Sequence, residues 1–126
     1  MSAERFASAF APSGSITLQH LQIHTEVGDT VRCRATLIVD QRELHLETSA
    51  HGTIGAMSEM LYGLGLGVEI VGLYHQNDGA EVTAYLQCLR DGERCWSYGR
   101  AATGDEATVH ALIAAANQLT GRLQAA

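Results

Sequence analysis

Apolar and polar residues alternate with a period of two in two stretches of the chain, residues 31–39 and 82–88. Successive side chains of an extended strand point to opposite faces, so this pattern predicts two β-strands that each bury one face. Asp40-Gln41 follows the first stretch and Asp91-Gly92 follows the second, and both are residue pairs that suit hairpin turns. Each strand is therefore expected to lead through a tight turn into an antiparallel partner.

Four further strands are expected around these turns. They cover residues 16–25, 43–50, 68–76 and 94–101. Gly28 and Gly79 are placed in the turns after the first and the third of them, since glycine readily adopts the conformations that turns need. Each half of the chain then holds three strands.

A helix is expected at the end of each half. Apolar residues recur at helical spacing from Ile54 to Leu64, and the glycine-rich run from Gly63 to Gly67 ends this helix and does not act as a phosphate loop. The second helix opens with Thr103-Gly104-Asp105-Glu106, a capping box with acidic residues near the positive end of the helix dipole.

The two halves are related by a shift of 51 residues, under which seven identities align without a gap. The aligned pairs are His24 with His75, Gly28 with Gly79, Val31 with Val82, Asp40 with Asp91, Ala50 with Ala101, Ala56 with Ala107 and Leu61 with Leu112. We therefore predict an α+β fold of two pseudo-repeated βββα units, each an antiparallel three-stranded sheet with one helix. Unit one covers residues 15–65, unit two covers residues 66–126, and residues 1–14 are expected to be a flexible leader.

Composition narrows the class of protein. The 126 residues fit a single domain, and 46% hydrophobic with 17% charged residues is typical of a globular chain. A net charge of −6 with only 8 Lys and Arg residues disfavours nucleic acid as a partner. No apolar stretch is long enough to span a membrane. The three cysteines form no CxxC pair, which favours buried thiols in a cytoplasmic protein over disulfides or a metal site.

Single residues offer little chemistry. His20, His24 and Glu26 are expected on one strand face, and they are better explained as surface residues than as metal ligands, since three converging ligands are not evident. No cysteine has a neighbouring base that would activate it as a nucleophile. Trp96 and Tyr98 share a strand face and are either core or interface residues.

Two segments resemble a known family in their order and spacing. Residues 50–56 read Ala-His-Gly-Thr-Ile-Gly-Ala, and Trp96-Ser97-Tyr98-Gly99 precedes a helix that contains Ala111-Leu112, Ala115 and Asn117. From about Ser15 onward the chain resembles the C-terminal regulatory, dimer-forming domain of 2-isopropylmalate synthase and citramalate synthase. Thr53 stands where that family usually has proline, and Gly55 where it usually has aspartate.

The resemblance implies a sensor of leucine or isoleucine that acts as a homodimer on a 2-isopropylmalate synthase-type catalytic subunit. By this resemblance the ligand-binding residues are His51, Gly52, Thr53, Ile54, Gly55 and Ala56 in unit one, and Ala101, Ala102 and Thr103 in unit two. It implies no catalytic residue, metal or cofactor, because the family's catalytic barrel of about 250 residues is absent. The alternative is an assembly module that kept the dimer interface and lost the ligand.

Overall fold

The computed structural model describes residues 16–124, and within them the side chains of residues 16–120. These residues form six strands and two helices in the order βββα-βββα. The elements are β1 (Ile16–Thr25), β2 (Val31–Val39), β3 (Arg42–Ala50), α1 (Thr53–Gly63), β4 (Glu69–Asp78), β5 (Glu81–Arg90), β6 (Glu93–Ala101) and α2 (Gly104–Gln124). The predicted fold is confirmed, while the predicted leader lies outside the described residues.

Each unit has its own antiparallel sheet, in the order β1-β2-β3 and β4-β5-β6. The predicted tight turns join the second and third strands of each sheet. Asp40 and Gln41 have φ of 50° and 69°, and Asp91 and Gly92 have φ of 51° and 81°. Positive φ at both central residues is the geometry that matches the twist of a two-residue hairpin.

The repeat contains a one-residue offset that the ungapped alignment missed. In unit one Ile23 pairs with Cys33, and in unit two His75 pairs with Ala84. His75 therefore occupies the position of Ile23 and not that of His24. The physical cause is the turn between the first two strands, which is one residue shorter in unit two. Relative to the 51-residue shift, β4 is therefore displaced by one position, and each of its side chains lies on the opposite face of the sheet from the one the shift predicts.

The helices cover the inner faces of the second and third strands of each sheet. α1 packs on β2 and β3, while α2 packs on β5 and β6 and also reaches β1 and α1. The second helix therefore holds the two units together. Its close approach to β6 is marked by the Ser97 hydroxyl, which donates to the Ala111 carbonyl at 2.7 Å.

Helix α1 ends in the glycine run, as expected. Gly65 has φ of 75°, its N–H donates to Tyr62 O at 3.1 Å, and the N–H of Leu66 donates to Leu61 O at 2.8 Å. This pair of bonds is the Schellman motif that terminates helices at a glycine. The Arg90 guanidinium donates hydrogen bonds to the carbonyls of Gly65 and Gly67 and so holds the loop that follows the helix. Within the described part of the chain, neither helix has the length and apolar character needed to cross a membrane.

Candidate functional site

The predicted ligand-binding residues of unit one lie at the start of α1. Gly52 is the N-cap in an extended conformation, and no side chain caps this end of the helix. The first turn contains no acidic residue either. The first N–H groups of a helix have no partner within it and carry the positive end of its dipole, so this end remains suited to an anion.

The start of α2 shows the Thr103 half of the capping box that the sequence predicts. Thr103 Oγ1 accepts a hydrogen bond from the Glu106 N–H at 3.2 Å, and the Thr103 carbonyl accepts from the Ala107 N–H at 3.0 Å. Asp105 and Glu106 lie in the first turn. The two helix starts thus differ in charge, since only unit two supplies carboxylates.

The two helix starts meet through one hydrogen bond. Thr53, with 3% of its surface exposed, donates through Oγ1 to Asp105 Oδ2 at 3.1 Å. Cys33 of β2 lies beside them, and burial raises the pKa of its thiol, which the Thr53 hydrogen bond lowers and the Asp105 charge raises further. Residues from both units are therefore brought together at one point, where Thr53 and Cys33 are buried and Asp105 is exposed.

The other predicted site residues surround this point with different exposure. His51, Gly55, Ala102 and Thr103 are exposed, Gly52, Ile54 and Ala101 are half-buried, and Ala56 is fully buried in the core. Gly55 and Thr103 thus expose part of each helix start to solvent, whereas the Ala56 side chain faces the protein interior.

Two residues at this place were not predicted as part of the site. One is Asp105. The sequence signal that could have identified it is the difference between the two helix starts, since the first turn of α2 has two acidic residues and the first turn of α1 has none. The other is His75, whose Nε2 lies 2.8 Å from Thr108 Oγ1. Because the Thr108 hydroxyl donates its only proton to the Gly104 carbonyl at 2.8 Å, His75 Nε2 is the donor. No sequence signal could have identified His75, because its face depends on the offset of β4.

A separate cleft lies between the edge strands β1 and β6 over α2. Its volume is about 380 Å³. It is lined by Ile16, Thr17, Leu18, Tyr98, Gly99, Arg100, His110, Ile113, Ala114 and Asn117. None of the predicted ligand-binding residues lines it. Among the residues that the structure describes, no group of three or more His, Cys, Asp or Glu side chains is placed to hold a metal ion.

Comparison with known proteins assigns no family, since no family model matches the chain and no curated protein matches it significantly.

The buried thiol of Cys88 gives a prediction on pH dependence. Burial, and secondarily the neighbouring Cys95, raises the pKa of Cys88 to about 12, against an ordinary value of 9.0. The unfolded chain therefore ionises this thiol at a lower pH than the folded protein does, so stability that is present below pH 9 is lost as the pH rises from about 9 to about 12. We expect the Cys88→Ala variant to lose less stability than the wild type between about pH 8 and about pH 10.5, which lie on either side of the ordinary thiol pKa of roughly 9. Guanidinium unfolding of both proteins at the two pH values measures the difference. Equal losses in both proteins would contradict the assignment.

Proposed function

We propose that this protein is an amino-acid-binding regulatory domain, active as a homodimer, that controls a branched-chain amino-acid biosynthesis enzyme of the 2-isopropylmalate synthase type and catalyses no reaction itself. The observation that supports this most is the hydrogen bond between Thr53 and Asp105. This bond places an uncapped helix start, which suits a negative group, beside a carboxylate, which suits a positive one. An α-amino acid carries both a negative carboxylate and a positive ammonium group.

The carboxylate of the amino acid is assigned to the start of α1. The unpaired N–H groups of a helix start bind anions by hydrogen bonding and through the helix dipole. A Cβ atom placed on Gly52 would meet nothing within 4 Å, so a ligand can approach the main chain there. Half-buried Ile54 offers apolar contact to a branched side chain.

The ammonium group is assigned to Asp105. The related family usually has an aspartate at the position of Gly55, and this chain has none there. Asp105 supplies a carboxylate from the other unit instead, held in place by Thr53. Among the described residues, the second oxygen of this carboxylate, Oδ1, accepts no side-chain hydrogen bond. It is the atom to which we assign the ligand ammonium group.

The effector would act by binding two states of the assembly with different affinity, which shifts the equilibrium of the catalytic partner. We place this activity in the cytoplasm, since Cys33, Cys88 and Cys95 are all buried and none forms a disulfide. Cys88 and Cys95 are buried thiols that face each other across β5 and β6. Cysteines kept as thiols are typical of a reducing compartment.

The proposal predicts a selective loss of affinity in the Asp105→Asn variant. The amide still accepts the Thr53 hydrogen bond but loses the charge, and a hydrogen bond to a charged group contributes about 1.5–3 kcal/mol, or roughly 10- to 100-fold in affinity. Isothermal titration calorimetry with leucine, isoleucine and valine measures this. The matched control is Glu106→Gln, which removes a charge from the same turn and should change the affinity little.

The same titration distinguishes the alternative function. Several of the predicted site residues are exposed and the site is open to solvent, which fits an assembly module that has lost its ligand. If none of the three amino acids produces heat or raises the melting temperature of the wild-type protein, the sensor proposal is wrong and the assembly module stands. Equal weakening by Asp105→Asn and Glu106→Gln would remove Asp105 from the site.

A further inference from the structure

The outer face of the second sheet carries a cluster of aromatic side chains. This face is turned away from α2, because the alternate residues of β5 and β6 that face the helix are buried. Tyr74, Tyr85 and Tyr98 form one row across the three strands, with ring centroids 6.1 and 6.4 Å apart. Trp96 lies in the next row, 50% exposed, and Tyr74 is 62% exposed. We call this surface, the outward side chains of β4, β5 and β6, the aromatic face.

The first sheet shows that the fold does not require aromatic residues there. The row that corresponds to the three tyrosines is Gln22, Arg34 and Glu47. All three side chains are polar, and two of them form an ion pair, with Arg34 Nε 3.2 Å from Glu47 Oε2. One unit thus has a polar row, and the other has at the equivalent positions three aromatic rings, of which Tyr74 is exposed and Tyr85 and Tyr98 are half-buried. Such an exposed apolar patch is characteristic of an interaction site.

We propose that the aromatic face binds a second copy of this chain, with the two-fold axis running along β5. The proposal identifies the surface through which the homodimer of the proposed function forms. It depends on dimerisation only and not on amino-acid binding. The two-fold operation places each β4 residue over the β6 residue of the same row in the other copy. Each outward residue of β5 meets its own counterpart, as in any isologous interface.

Residue volumes match under this operation. Gly72 shares a row with Trp96, so the indole ring of one copy lies over the glycine of the other. Nothing within the chain itself requires a glycine at this position, since an added Cβ would make only an ordinary contact of 3.5 Å with Gln87. The second copy explains the missing side chain. Tyr74 faces Tyr98 of the other copy, an arrangement in which aromatic rings attract each other.

Charges match as well. Glu69 and Arg94 belong to one row, and the two-fold axis brings each opposite the other. Both are exposed, and within the described part of the chain neither has an ion-pair partner. The outward residues of β5 meet themselves, and from Thr83 to Leu89 they carry no charge. Glu81, at the end of the strand, is charged and lies 3.6 Å from Arg100 through its Oε2 atom. The same operation on the first sheet would place Arg32 and Arg34, in the middle of its central strand, on their own copies, which is repulsive, so the second sheet is the more self-complementary of the two.

The area of the aromatic face can be compared with what a dimer needs. Tyr74 and Trp96 expose 62% and 50% of their surface, and Tyr85 and Tyr98 are half-buried. Each therefore adds less than the roughly 150–250 Å² that a fully covered aromatic side chain buries, and together they supply part of an interface. A standard interface buries about 800 Å² per partner, and the polar rows at both ends of the face can supply the remainder. Two sheets that pack face to face in this way form a common arrangement in proteins.

A charge exchange tests the interface. Sedimentation equilibrium of the full chain, without any amino acid, should show a dimer. Glu69→Arg and Arg94→Glu should each raise the dimer dissociation constant at least about tenfold, because each creates two like-charge contacts per dimer. The double variant Glu69→Arg/Arg94→Glu should restore the wild-type value. The matched control is Glu43→Arg, which lies at the position equivalent to Arg94 in the first sheet and should leave the dimer unchanged.

A volume exchange provides an independent readout. Gly72→Trp should place two indole rings in one space and dissociate the dimer, and Gly72→Trp/Trp96→Gly should restore it, with circular dichroism confirming that each variant is folded. A monomeric wild-type protein would overturn the homodimer of the proposed function together with this interface, whereas single variants that dimerise normally, or double variants that stay monomeric, would overturn the interface alone. None of these results concerns amino-acid binding, which is measured separately with the Asp105 variants, so failure of either proposal is distinguishable from failure of the other.

Discussion

The Gly99→Ala variant is expected to lose about 3 kcal/mol of stability, the upper part of the range for overpacked cores. A Cβ atom at this position would overlap the Ala107 carbonyl oxygen and the Ala111 amide nitrogen, and would lie 2.6 Å from the Cβ of His110. Two of these atoms belong to the main chain of α2, which cannot rotate away as a flexible side chain can. The helix must therefore move off β6, and its contacts with β1 and α1 are disturbed with it. Guanidinium unfolding followed by circular dichroism measures the loss.

Gly55 supplies the matched control for this prediction. A Cβ atom there would meet only the Ala50 side chain, at 3.7 Å. Because Gly55 lies inside α1, the Gly55→Ala variant should be neutral or more stable by up to about 1 kcal/mol. If Gly99→Ala unfolds at the same denaturant concentration as the wild type, then α2 does not pack on the strand as closely as described.

The second large effect is expected at Asn117, which ties the first strand of unit one to the helix of unit two. Its amide donates to the Ile16 carbonyl and accepts from the Ile16 N–H, both at 2.9 Å. Ile16 is 1% exposed, so Asn117→Ala leaves two buried main-chain groups without this partner. An unsatisfied buried group destabilises by about 1–3 kcal/mol, and we expect about 3 kcal/mol for the pair, measured by guanidinium unfolding.

An aspartate at this position gives the test a pH dependence. Asn117→Asp keeps an acceptor for the Ile16 N–H but places a negative charge against the Ile16 carbonyl, so the folded state favours the protonated carboxyl group. Its pKa in the folded state is then raised, and the variant should become more stable relative to the wild type as the pH falls from 7 towards about 4. The control is Gln118→Ala, because Gln118 makes an exposed hydrogen bond to the Trp96 carbonyl and should contribute little. A constant difference in stability between the Asn117→Asp variant and the wild type at all pH values would contradict the contact.

The element order and most element boundaries followed from local signals in the sequence. Period-two alternation, the Asp91-Gly92 turn and the glycine after α1 act over a few residues, and each has a local physical cause. The repeat was also visible in the sequence, since the second and third strands and the helix starts keep the 51-residue shift. The family resemblance implied that both helix starts belong to one ligand site, and this stays a prediction.

The tertiary structure alone decided how these parts meet. The offset of β4 depends on the length of one turn, and it moved His75 to the inner face against Thr108. The contact between Thr53 and Asp105 depends on α2 reaching across to unit one, which in turn requires a glycine at position 99 and an asparagine at position 117. Periodicity and turn chemistry report on neighbours along the chain. Contacts between residues about 50 to 100 positions apart are set by the packing of whole elements, which no local pattern in the sequence records.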